Sequence, residues 1–272
     1  MNDIFDIRRF GRYLAYDINN AKNNFGLSLL ISGLLPVIFF TITQILSRII
    51  TGDWAEINVI HQILALGIAL VTIFCSFPSK TYGPLTDRRA GSNWLMLPAS
   101  AFEKFLSMLV ISILVLPLCF AVLFLGSDAL LSLLFPNYAQ SLIHNIANLH
   151  EFMQIPEDAA RAIPMYDQLP VHFWTMIFLG WVVNILFFVL GAIWFKRSKA
   201  AKTILTGFGI SLVSGSLEMK FTDRAALACQ MCDPAQTVDF IESMLKLTYW
   251  SSAVQIVILA VLIYARIKTL KH

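Results

Sequence analysis

Ser79 to Phe105 reads SKTYGPLTDRRAGSNWLMLPASAFEKF, a polar and basic interruption between two long apolar runs. Lys80, Arg88, Arg89 and Lys104 make it one of the most basic segments of an otherwise apolar chain, which places it on the cytoplasmic side of a membrane. Its residues also prescribe local order. Pro84 suits a first helical turn and Gly91 a helix end. Ser100 followed by Glu103 is the S-x-x-E capping box that starts a new helix running into the next apolar run. The spacing predicts a short surface helix, a turn, and a capped return into the bilayer.

The composition agrees with that setting. Of 272 residues, 57% are hydrophobic and 14% charged, and the mean hydropathy is +0.70; a soluble domain carries about a quarter charged residues. The chain reads as an all-α integral membrane protein in a single transmembrane domain, 1–272. Nucleic acid is excluded as a partner, because no soluble module carries a clustered basic face. Asp3 and Asp6 dilute the N-terminal charge and no small-residue cleavage pattern follows the first apolar run, so the first span is expected to be retained.

Over residues 3–23, Ile7, Phe10, Leu14, Ile18 and Ala21 recur at steps of three and four, with Arg8, Arg12, Asn19 and Lys22 on the other side. This is an amphipathic helix. It either lies in the inner interface with its arginines among headgroups, or packs on another part of the protein. Six spans follow, at about 26–50, 59–77, 105–126, 171–195, 203–217 and 248–267. Pro36 is positioned to kink the first and Pro117 lies inside the third. Asp128 is expected at the outer interface. Residues 79–104 form the cytoplasmic loop, and 136–170 and 218–247 are outer segments. The fifth span, with Gly207, Gly209 and Gly215, is shorter than the 17 to 25 residues usual for a crossing; close helix packing or a thinned bilayer would accommodate it.

Charge supports both termini being cytoplasmic in a cell (inner) membrane protein. On that layout 15 of the 20 Lys and Arg fall on inner segments, leaving Arg48, Arg161, Lys220, Arg224 and Lys246 outside. If 203–217 did not cross, the basic tail would end on the wrong side.

The chemistry is sparse. No predicted span carries an acid or base near its middle, which disfavours an ion-coupled transporter. Asn184 is read as an interhelical hydrogen-bonding residue in preference to one lining a substrate path. His150 to Gln154, HEFMQ, stops short of H-E-x-x-H, and no metal or catalytic site is expected. Cys229 and Cys232 form C-x-x-C in the second outer segment, either a disulfide in an oxidising compartment or two free thiols on a short helix. No G-x-x-x-x-G-K-[ST] occurs, so the chain binds no nucleotide through that motif and is not an enzyme by this reading.

With the layout drawn, the chain resembles a permease subunit of the ABC-2 family of ABC transporters, with the type V exporter architecture. The N-terminal helix, the six spans and the basic loop between spans two and three carry the resemblance. Its sequence-specific part is WLMLPASAFEKFL, where Leu97, Pro98, Ser100 and Glu103 match a Leu-Pro-small-Ser run with an acid before span three. The resemblance implies a dimer, with a second copy or a related permease, and a separate cytoplasmic ATPase carrying ATP and magnesium. It implies docking of that ATPase through Arg88, Arg89, Trp94, Leu97, Pro98, Ser100, Glu103 and Lys104. The alternatives are a membrane scaffold or anchor, and a secondary transporter or channel.

Overall fold

The computed structural model describes residues 5–87, 91, 94, 96–147, 169–212 and 234–269. Among them every regular element is helical, apart from one isolated bridge between Ile57 and Tyr138. The chain divides into two compact units, Met1–Ile155 and Pro156–His272. Four helices are long and apolar enough to cross a membrane: Val59–Thr81, Ala101–Leu134, Trp174–Trp194 and Leu245–Thr269. The pair Ile7–Gly33 and Leu35–Ile50 makes a fifth if counted as one bent span. The protein is thus all-α and built to sit in a membrane. The predicted fifth span, 203–217, has no such helix among the described residues; the chain is helical over 199–212, and 213–217 lie outside them.

In the first unit, helix α1 (Ile7–Gly33) runs without a break from the amphipathic segment into the first apolar run. Nothing between Lys22 and Gly26 can stop it. The interruption comes at Leu34, where Pro36 lacks a donor and its ring obstructs the preceding turn, and α2 (Leu35–Ile50) leaves at 46°. Helix α3 (Val59–Thr81) comes back alongside α1. Phe25 meets Phe77 edge-on at 5.3 Å between centroids, and the Ser32 and Thr72 hydroxyls share a 3.1 Å hydrogen bond. These pairings make α1 and α3 antiparallel.

Helix α4 (Ala101–Leu134) is longer than the predicted third span. A π-helical turn, Ile111–Val115, precedes Pro117, and such a wider turn accommodates a proline that an α-helical ladder would not. Helix α4 runs parallel to α1. Arg9 meets Glu103, Asp17 meets Ser107, and the Ser127 hydroxyl donates to the Gly33 carbonyl at 2.9 Å. A Cβ on Gly33 would stand 2.5 Å from that of Leu123, so glycine permits this approach.

Helix α4 continues to Leu134, so Asp128 lies within it, and its side chain is fully buried. Its carboxylate accepts from Gln62 Nε2 at 3.1 Å, the Tyr138 hydroxyl at 2.7 Å and the Leu142 N–H at 2.7 Å, where Leu142 opens the short helix α5 (Leu142–Ala147). Burial, followed by the bond to Asp128, raises the Tyr138 phenol above the ordinary tyrosine range. Phe40, Ile57, Leu131 and Tyr138 pack around this end. Gln44 fixes the following turn through two bonds with the Ala55 backbone, at 2.8 and 3.0 Å.

The second unit contains α6 (Leu169–Trp194), α7 (199–212) and α8 (Pro234–Thr269). Ile185, Leu186, Val189 and Ile193 of α6 are buried, as are Ile263 and Ile267 of α8. Thr203 sits against Gly191 where no side chain would fit. Asn184 donates to the Gly180 carbonyl of its own helix at 2.8 Å, so it is not the interhelical bond expected of it. In both units the outward helix faces are apolar: Ile60, Leu118, Val122 and Val257 are each more than 60% exposed, the surface that hydrocarbon covers.

Candidate functional site

The predicted basic loop ends in a small polar assembly at the start of α4. Pro84 opens a 3-10 turn, Gly83–Thr86, and Gly91 and Trp94 are helical. Arg88 and Arg89 lie outside the described residues. The capping box forms as its spacing predicts: Glu103 N–H donates to the Ser100 hydroxyl at 3.2 Å, and Ser100 N–H donates to Glu103 Oε2 at 2.8 Å. Local sequence alone dictates this much.

The rest of the assembly comes from α1. Asp6 caps that helix, accepting from the N–H groups of Arg8 and Arg9, and its own N–H donates to Glu103 Oε1 at 2.9 Å. Arg9 then grips the carboxylate, Nε at 2.9 and 2.8 Å from the two oxygens and Nη2 at 2.8 Å from Oε1. Glu103 is wholly buried. Its charge is matched by one guanidinium and two backbone donors, the condition under which a buried carboxylate is tolerated. The single acid therefore ties three things together: the loop's last residues, the first turn of α4 and the first turn of α1.

Further along the same faces, Trp94 Nε1 donates to the Tyr13 hydroxyl at 2.9 Å. Ser107 donates to Asp17 Oδ2 at 2.7 Å, with both residues buried. Tyr82 stands near Asp17 and beside Ser112; burial first, and the Asp17 charge second, hold its phenol well above the ordinary range. Lys104, expected to face a partner, is turned inward. Its ammonium donates to the Trp94 carbonyl at 2.8 Å and lies 4.5 Å from the centre of the Trp94 ring, because Glu103, Lys104 and Ser107 share the side of α4 that packs into the unit.

The inward face of α1 carries Tyr13, Asp17, Phe25 and Ser32. Of the predicted apolar stripe, Ile7 and Ile18 are exposed and Phe10 and Leu14 half-buried. Arg8 and Arg12 are exposed and, with Leu97 and Pro98, border a groove of about 590 Å³. Arg9, Tyr13, Asp17 and Ser107 are functional candidates that the sequence reading passed over. Their signal was present as the four-residue repeat Arg9, Tyr13, Asp17, which lies beside the apolar stripe.

Cys229 and Cys232, and the segment His150 to Gln154, lie outside the described residues. No group of three His, Cys, Asp or Glu side chains among the described residues is placed to hold a metal ion. Compared with protein-family models, curated proteins and solved structures, the chain gives no match.

Proposed function

We propose that this protein is the membrane-spanning permease subunit of an ABC transporter of the ABC-2 type, an exporter that works as a dimer with a separate cytoplasmic ATPase. Six spans with both termini cytoplasmic complete this reading. The observation that supports it best is the clamp on Glu103. A coupling loop must transmit displacement of a docked ATPase into a span without absorbing it, and a loop whose end is fastened to both α1 and α4 through one buried carboxylate is suited to that task. Arg88 and Arg89 are the proposed ATPase contacts.

An ion-coupled transporter gains one point from the burial of Asp128. That carboxylate, however, already accepts three hydrogen bonds, the pattern of an anchor for the chain between α4 and α5. The deciding experiment is affinity purification of the tagged full chain from its native membrane in a mild detergent. Stoichiometric recovery of an ATPase with a phosphate-binding loop supports the transporter reading; recovery of the chain with no ATPase, from membranes where both are expressed, rejects it.

A further inference from the structure

The groove between the start of α1 and residues 97–99 has a definite chemical character. Arg8 and Arg12, one helical turn apart, both border it, as do Tyr16 and the apolar wall of Leu97 and Pro98. At about 590 Å³ it lies within the ~300–1,000 Å³ range of small-molecule sites. Arg9 also borders it but is committed to Glu103. Among the described residues no carboxylate forms an ion pair with Arg8 or Arg12. The acid in the groove, Asp6, accepts the first N–H groups of α1, and the positive end of the helix offsets its charge.

We infer that this groove binds the headgroup of an anionic phospholipid, with Arg8 and Arg12 on the phosphate and Leu97 and Pro98 against the glycerol and first methylenes. The apolar wall of Leu97 and Pro98 argues for a lipid over free phosphate, because it serves no purpose for a bare anion. Guanidinium is the side chain best fitted to phosphate oxygens. The site stands independently of the transporter reading, since it needs neither an ATPase nor a dimer.

The test uses the full chain in nanodiscs made from equal parts phosphatidylglycerol and phosphatidylcholine, followed by native mass spectrometry of the lipids that remain bound. Wild-type protein should retain phosphatidylglycerol preferentially. The Arg8→Gln, Arg12→Gln pair should lower that enrichment by about fivefold for each arginine removed. Lys196→Gln with Arg197→Gln removes equal charge elsewhere and should leave it unchanged. Leu97→Glu, which keeps both arginines, should also abolish the preference, so the outcome does not hang on one variant. Unchanged enrichment in the arginine pair, or an equal loss in the Lys196 and Arg197 control, would overturn the site. Displacement of the lipid by millimolar inorganic phosphate would overturn the choice of a lipid. Loss of ATPase capture in the arginine pair with lipid enrichment intact would assign the groove to a protein partner instead.

Discussion

Arg9 reaches across 94 residues of sequence to hold both oxygens of Glu103, a carboxylate with no exposed surface. Removing one partner of a fully buried pair costs about 3–5 kcal/mol. Arg9 retains 38% exposure, which lowers the expected cost. A double-mutant cycle with Arg9→Gln and Glu103→Gln, followed by thermal unfolding in detergent, should give a coupling energy of about 0.5–3 kcal/mol. Additive single effects would mean that the pair does not act as a unit. Ser100→Ala should cost about 0.5–2 kcal/mol and still insert, because it removes one acceptor and leaves Glu103 held from α1.

The approach of α1 to α4 at Gly33 leaves no room for a side chain, whereas Gly67 on α3 has nothing within 4 Å of an added Cβ. Gly33→Val should therefore destabilise by about 1–3 kcal/mol through overpacking. Gly67→Ala should be neutral or slightly stabilising, as the helix loses a glycine. Paired melting curves check this, and equal shifts would contradict the packing described.

Topology follows from the charge distribution and is read by reporter fusions. Fusions at Thr86, Ser198 and Thr269 are expected to report a cytoplasmic location, and fusions at Gln154 and Asp233 the opposite side. A cytoplasmic signal at Asp233 would show that the run from 203 to 217 does not cross.

For the proposed ATPase contact, reversing charge at Arg88 and Arg89 should weaken capture of the ATPase by correctly inserted protein, more strongly at low salt than at high salt. Undiminished capture at both salt concentrations would remove the loop's docking role.

The elements legible in the sequence are those set by neighbours within about four residues. The Ser100 and Glu103 box, the break before Pro36 and the long apolar helices all belong to that class. What escaped was long-range pairing. Arg9 looked like one more inner-side cation because nothing near it in sequence announces Glu103. Nothing near Asp128 in sequence announces that Gln62, Tyr138 and Leu142 would together enclose its carboxylate with three donors. Lys104 counted as a surface charge until its place beside Glu103 put it on the packed face. Asn184 bonds instead to the carbonyl four residues back on its own helix.

The parallel pairing of α1 with α4 also sets a schedule for biogenesis. Arg9 and Asp17 leave the ribosome long before Glu103 and Ser107, which follow 94 and 90 residues later. At ~5–20 residues per second, the interval is roughly 5–20 seconds. During it α2 and α3 can already be threading into the bilayer while the Asp17 carboxylate has yet to meet Ser107. That face must stay wetted, or shielded by the insertion machinery, until α4 arrives. Locking of the amino-terminal helix is therefore a late event in the assembly of this unit, even though its residues are made first.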